Sequence, residues 1–340
     1  MEHHNVIGLD IGHSTVKVAY ANLAGEPQTI IFPSAVSPAI EISDDSESKR
    51  AQDDTVTIAG NHLFIGDTAE VQGRRNTQNN VSETWIESME YQALTAGAIK
   101  KLIQAGANID QSTMVVVGLP TSLYKSQRDK LRELTQKIVG YTHEVKVLPQ
   151  SLGAFQSIMF DQDGQLAQGR SLTSESWGVI EVGYFSTDFM VMRGHGGKAR
   201  WIEDASGICS GVRFAAERLS RILSDELKIG GKSITVTPKE AESALITGHI
   251  RYYGKINVAD KVKRATSIIT EEVMRAASRY LESEAATLDG IVLAGGGSPL
   301  VSDAIKNLWP HVVTPENPRF TVAEGFRRFG VGILRARASV

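Results

Sequence analysis

An acid, a cluster of donors and one lysine stand close together near the start of the chain: Asp10, then Gly12, His13, Ser14 and Thr15, then Lys17. Asp10 closes one β-rich run and Lys17 lies on the run that returns from it. Gly12 permits a turn that a Cβ would resist. Such a tip offers donors to phosphate oxygens, and the acid and lysine suit a metal ion with its polyphosphate. A later stretch repeats the order: Glu181, Gly183, Tyr184, Phe185, Ser186, Thr187, Asp188. Asp10 and Glu181 are the candidate metal ligands, acting through waters on Mg²⁺, which takes few carboxylates. Two further turns complete the set. Pro149-Gln150-Ser151 follows a strand and opens a helix; Gly295-Gly296-Gly297-Ser298 ends an apolar strand. Gln150 is the candidate for orienting a hydrolytic water, because an amide both donates and accepts but is a poor base. The three glycines let backbone approach a flat group such as adenosine, and the helix that follows favours anions at its start. Each turn alone is ordinary. Four in this order, with an internal duplication, are not.

The elements that must carry these residues read as a mixed α/β chain built from two copies of one module. Val6 to Tyr20 is expected as a hairpin, and Thr29 to Phe32 as a further strand. The acidic stretch Glu41 to Asp54 reads as a mobile surface loop, and a second hairpin is centred on Gly60-Asn61. A helix is expected from Ser82, with Trp85, Met89, Leu94, Ala98, Leu102 and Ile103 inward. Thr113 to Leu119 has the composition of a buried strand. Ser122 to Val139 is a helix, Glu144 to Leu148 a strand, and Gln150 starts another helix. The second module opens at Trp177. A helix follows Gly211, a small helical excursion lies near 230–258, and Ala259 to Ala286 is strongly amphipathic. Ile291 to Ala294 is a buried strand, followed by a helix from Leu300. The tail, from Thr321, is helical, with Arg327, Arg328, Arg335 and Arg337 as a solvated face. The expected division is 1–160 with 320–340 as the first domain, holding a variable part near 33–110, and 161–319 as the second.

Composition narrows the function. The chain's 340 residues suffice for two domains, and 41% hydrophobic with 22% charged residues is ordinary for a globular protein. A net charge of −3 gives no broad basic field, so direct nucleic-acid binding is not expected. Cys209 is the only cysteine, which excludes an intramolecular disulfide and any cysteine-rich metal site. The start lacks the order of a signal peptide, and no apolar run reaches the roughly 20 residues of a membrane helix. A soluble, cytoplasmic protein without membrane contact is the expectation.

The order of motifs resembles the actin/Hsp70/sugar-kinase ATPase superfamily. Within it the chain is most similar to the ParM/StbA plasmid-segregation actins, a likeness carried by Val145 to Ala154, Ile291 to Gly297 and Val322 to Phe326. The resemblance implies an actin-like, ribonuclease H-like duplicated fold with an interdomain nucleotide cleft. It implies ATP with Mg²⁺, the choice between ATP and GTP being open. The nucleotide roles then fall on Asp10, Gly12, Ser14, Thr15, Lys17, Glu181, Gly183 and Gly295 to Gly297, and the helix after Gly211 brings Arg213 and Glu217 past the ribose. The chain departs from the family where Glu181 replaces the usual Asp and where Tyr184 and Phe185 crowd the second tip. The implied function is a polymerising ATPase that forms filaments driving plasmid segregation. Its implied partners are further copies of itself and a small ParR-like adaptor that alone contacts DNA. A non-polymerising actin-fold scaffold is the alternative. A small-molecule kinase is the third reading; it would need a catalytic carboxylate that Gln150 does not supply.

Overall fold

The computed structural model describes residues 5–73, 84–107, 109–140, 142–196 and 198–339. The chain forms two compact units, one of Met1–Ser174, Gly196–Lys198 and Arg319–Val340, the other of Glu175–His195 and Ala199–Pro318.

The first unit opens with β1 (Val6–Ile11), β2 (Thr15–Ala21), β3 (Pro27–Pro33) and β4 (Val36–Pro38). It continues through α1 (Asp45–Asp53), β5 (Thr55–Ile58), β6 (Asn61–Ile65), α2 (Gly66–Gln72) and a 3₁₀ turn at Trp85–Glu87. Then come α3 (Met89–Gln104), β7 (Met114–Leu119), α4 (Thr121–Val139), β8 (Glu144–Pro149) and α5 (Gln150–Met159). The second unit starts with β9 (Ser176–Val182), β10 (Ser186–His195), β11 (Lys198–Trp201), β12 (Gly207–Ser210) and α6 (Val212–Glu226). It carries two small ribbons, β13 (Lys228–Ile229) with β14 (Lys232–Ser233), and, after α7 (Pro238–Thr247), β15 (His249–Arg251) with β16 (Lys255–Asn257). It closes with α8 (Ala259–Ala285), β17 (Gly290–Ala294), α9 (Ser298–Leu308) and β18 (Val312–Val313). The chain then returns to the first unit as α10 (Thr321–Ala338).

The duplication is plain in the sheets. The first runs β3-β2-β1-β7-β8 and the second β11-β10-β9-β17-β18, with β12 added beside β10. In each, the opening strand is antiparallel to its hairpin partner and parallel to the strand on its other side. Parallel strands covered on both faces need continuous apolar sequence, and β1, β7 and β17 are buried along their whole length. The acids Asp10 and Glu181 therefore lie at the ends of buried strands. One contact fixes where α5 lies. A Cβ on Gly325 of α10 would stand 1.8 Å from the Gly153 carbonyl oxygen of α5, so only glycine lets the two helices cross this closely.

Several elements differ from the sequence expectation. The acidic stretch 41–54 is not a loop throughout, because α1 occupies its second half. Asp44 caps that helix by accepting the Glu47 N–H at 2.8 Å, Asp45 and Glu47 suit its positive end, and Ala51 alone is buried. The expected helix start at Ser82 lies outside the described residues. Within them, α3 is capped by Ser88, Trp85 belongs to the preceding 3₁₀ turn, and Met89 and Ile103 are exposed. Leu94, Ala98 and Leu102 face inward as expected, joined by Tyr91. The excursion near 230–258 is one helix plus two ribbons, and α9 begins at Ser298 rather than Leu300.

Of the arginines of α10, Arg335 and Arg337 are exposed as expected, whereas Arg327 and Arg328 are not part of a solvated face. Arg327 is buried and donates to the Gln162 carbonyl at 3.2 Å and to the Gln162 Oε1. Arg328 donates to the carbonyls of Ser157 at 2.5 Å and Phe160 at 3.1 Å, and Arg337 holds Glu144 by two bonds of 2.6 and 3.1 Å. Guanidinium forks satisfy backbone oxygens that α5 leaves at its end, so these charges pin α5 and β8 in place.

Candidate functional site

In the first unit, three of the expected residues meet. Asp10 is 4% exposed. Its Oδ1 accepts from Gln150 Nε2 at 2.8 Å and its Oδ2 from Lys17 Nζ at 3.1 Å. Lys17 arrives because it is the cross-strand partner of Asp10 on β2. Gln150 arrives because α5 starts directly after β8; a Cβ on Gly118 of β7 would lie 2.9 Å from the Gln150 Cγ. With Nε2 on Asp10, the amide keeps Oε1 as its acceptor atom.

The tip between β1 and β2 is held from several directions. The Gly12 N–H donates to the Thr15 carbonyl at 3.2 Å. Ser34 locks the tip further, its Oγ–H donating to the Gly12 carbonyl at 2.5 Å and its N–H to the Ser14 carbonyl at 2.9 Å. His13 stacks on Trp85, ring centroids 3.9 Å apart and planes 22° from parallel. Trp85 in turn meets Tyr91 edge-on at 5.0 Å. Burial, and then the charge of Asp10, push the Tyr91 phenol well above its ordinary pKa.

In the second unit, Glu181 is 9% exposed and lies against the glycine turn after β17. Gly295 has φ +89°, and a Cβ there would meet the Val182 carbonyl at 2.3 Å and the Glu181 Oε1 at 2.6 Å. Gly297 is equally constrained, because its Cβ would stand 2.3 Å from Val212 and 2.7 Å from the Val182 side chain. Gly296 between them is exposed. The tip of β9–β10 faces α6. The carbonyls of Phe185, Gly183 and Tyr184 accept from the N–H groups of Gly211, Val212 and Arg213 at 3.0, 3.1 and 2.8 Å. Those are the donors an α-helix leaves over at its start. Arg213 and Glu217 pair with each other at 2.7 Å along α6. Tyr184 is half-buried; burial and the charge of Glu242 on α7 raise its phenol to about 12.

The tip glycines contribute shape rather than donors. The N–H groups of Gly12, Gly183, Gly295 and Gly297 bond within the protein, to Thr15, Ser186, Pro318 and Val182. The Ser298 N–H bonds to Gly295 at 3.2 Å, with Ser298 at the first position of α9.

Sequence reasoning left four participants unassigned. Asp188 is fully buried and stands opposite Glu181 in the register, accepting from Ser186 Oγ at 2.9 Å. The alternation of β10 places it on the Glu181 face, a signal present in the sequence. Ser34, Trp85 and Tyr91 are remote in sequence from the tip they support, and no local pattern announces them. As a test of Mg²⁺, Asp10 keeps its two oxygens hydrogen-bonded yet retains lone pairs for a bridging water, and Glu181 is paired with a second acid. The residues fit an ion that keeps most of its waters. Among the described residues no group of three or more His, Cys, Asp or Glu forms a protein-only cage.

This combination of duplicated sheets and acid-ended hairpins defines an actin-like α/β protein. Residues 8–153 match the family of actin like proteins, N-terminal domain, and residues 179–307 match the archaeal actin homologue MreB-like, C-terminal. The chain belongs to the actin-like proteins. Among solved structures, it is 20% identical to a ParM from a 15-stranded filament of Clostridium botulinum, covering 96% of this chain and 99% of that one with a TM-score of 0.77. An archaeal actin homologue is 20% identical over 99% of this chain and 100% of its own, with a TM-score of 0.72. Bacillus thuringiensis ParM with ATP is 14% identical over 99% and 100%, with a TM-score of 0.63. These likenesses establish the two-domain actin fold. No curated protein matches the chain significantly. No helix among the described residues is long and apolar enough to cross a membrane.

Proposed function

We propose that this chain is a polymerising actin-like ATPase, both half-sites acting on one ATP with Mg²⁺, whose filaments move a plasmid or similar DNA. The observation that carries the reading is the buried Asp10 held between Gln150 at 2.8 Å and Lys17 at 3.1 Å. Lys17 supplies a fixed positive charge for a terminal phosphate. Gln150 orients a water without being a strong base, which suits slow hydrolysis. Asp10 and Glu181 would hold Mg²⁺ through water, and the ion would neutralise charge as it develops on the phosphates. The glycine turn at Gly295–Gly297 and the Arg213–Glu217 pair are assigned to the adenosine end. A ParM filament and an Alp12 filament of the same fold support self-assembly, and a heterologous contact that does not close gives an open filament. The small net negative charge of −3 suits DNA contact through an adaptor of the ParR kind, in a bacterial cytoplasm.

The test is sedimentation and light scattering of purified protein with ATP, ADP and a non-hydrolysable analogue, each with Mg²⁺. Polymer with ATP, lost as phosphate is released, is the expected result. A non-polymerising nucleotide-binding scaffold is the second reading, supported by the commitment of the Gly183, Tyr184 and Phe185 carbonyls to α6. ATP binding with neither turnover nor sediment over a broad concentration range would favour it and overturn the first.

A further inference from the structure

We propose that Trp85 is a positioning residue for the first hairpin tip, holding His13 in the orientation that the bound phosphate needs. The inference rests on the reading that this tip binds nucleotide. The tip backbone and the tip side chain are held by different means. Ser34 fixes the backbone through the carbonyls of Gly12 and Ser14. His13 projects from that fixed turn, and its ring lies nearly parallel on the indole, centroids 3.9 Å apart. A parallel stack removes the freedom of both side-chain torsions of a histidine that is itself half-exposed. Exposed histidines at hairpin tips otherwise sample several rotamers, so an imidazole at a phosphate site gains affinity from being fixed beforehand.

The support is built deep into the unit. Trp85 is 8% exposed, and its far contact is the buried ring of Tyr91 at 5.0 Å, 87° from coplanar. Tyr91 is 1% exposed and lies within the electrostatic reach of Asp10. The three rings thus form a ladder from the tip back towards the carboxylate at the end of β1. A tryptophan packed only for burial would need no polar ring on its face. Here the polar ring is the one tip side chain that can carry a positive charge. Trp85 is also the only tryptophan of its unit, so its emission reports on this tip.

The experiment compares wild type with Trp85→Ala, Trp85→Phe and His13→Ala, measuring affinity for ADP with Mg²⁺ by calorimetry and ATP hydrolysis below the polymerisation threshold. The loss of one aromatic pair predicts that Trp85→Ala weakens nucleotide binding about fivefold to tenfold. KM rises in proportion and kcat stays within about twofold, because the contact is equal in ground and transition states. Trp85→Phe restores binding to within about twofold, since a phenyl ring stacks as well. His13→Ala weakens binding as much as Trp85→Ala, and the double variant is no worse than either single one. Saturating nucleotide changes tryptophan emission in wild type but not in Trp85→Phe. Unchanged affinity in Trp85→Ala overturns the proposal, as does simple addition of the two alanine effects. If Trp85→Ala does not fold, His13→Ala and Trp85→Phe still decide by affinity and emission. A wild-type chain that binds no nucleotide overturns both this inference and the proposed function, whereas normal binding with an inert Trp85 overturns this inference alone.

Discussion

Replacing Lys17 by methionine removes the cation from a nearly buried pair while keeping most of the side-chain volume. The Lys17 and Asp10 side chains are 14% and 6% exposed and 3.1 Å apart. At an effective dielectric of about 20 the attraction at this distance is about 5 kcal/mol before desolvation is counted. Breaking one side of a buried pair destabilises by about 3–5 kcal/mol, because the remaining charge is left in a poor solvent. Asp10 keeps its bond from Gln150 at 2.8 Å, which places Lys17→Met at the low end, about 3 kcal/mol. For a unit of this size, about 2–4 °C of melting temperature accompanies each kcal/mol, so the first unit should melt roughly 6–12 °C lower. Asp10→Asn should lose less, about 2 kcal/mol, since the longer Lys17 can reach solvent. The double variant should recover about 2 kcal/mol relative to the sum of the singles. Calorimetric melting without nucleotide is the assay, because a ligand would shift both states' balance. A fall under about 2 °C for Lys17→Met, or additive single effects, would refute the claim that the hairpin's charge is balanced internally.

Three further outcomes are expected. Hydrogen bonds from Arg337 hold the Glu144 carboxyl down at about 2 against an ordinary 4.5. Its folded value lies below its unfolded one, so the stabilisation is complete above pH 4.5 and lost as the pH falls towards 2. Both side chains are at least one third exposed, which limits the effect to about 1 kcal/mol; urea midpoints for Arg337→Gln should fall below wild type at pH 7 and converge with it near pH 2. Gly325→Ala drives a Cβ into the Gly153 carbonyl, 1.8 Å away, and should destabilise by about 2 kcal/mol or more. Because α5 carries Gln150, ATP hydrolysis should slow along with the drop in melting temperature. Burial, and then the charge of Glu272, raise the Cys209 thiol to about 12; iodoacetamide at pH 8 should label it at least about tenfold more slowly in the native protein than in urea.

The duplicated module was legible because a strand, an acid, a glycine and a returning strand recur at Asp10 and at Glu181, and each piece has a local cause. The meeting of Asp10, Lys17 and Gln150 was also legible, since hairpin register and a helix starting at a strand end fix it. What escaped the sequence depends on contacts between distant residues. The arginines of α10 read as solvent-facing because charge runs usually are, but Arg327 and Arg328 find carbonyls near the end of α5. The helix at Asp45–Asp53 buries one small residue, Ala51, so it lacks the apolar stripe that announces a helix. The N–H groups of Gly12, Gly183, Gly295 and Gly297 find partners within the protein, two of them outside their own turn, which no local pattern announces. Trp85 was placed on a helix face; it lies one turn earlier and faces a histidine more than 70 residues away.

The two hairpins occupy the same place in their sheets but differ in the charges set across each strand pair. In the first, Asp10 stands across from Lys17. In the second, Glu181 stands across from Asp188, both nearly or fully buried. Opposed unlike charges stabilise a strand pair and opposed like charges destabilise it. The first hairpin therefore carries its own counter-ion, a compact ammonium suited to a phosphate oxygen. Asp188 adds a second carboxylate beside Glu181 on the same face of the sheet. The same duplication thus places an acid at equivalent positions of both sheets but sets a lysine across from one and an aspartate across from the other.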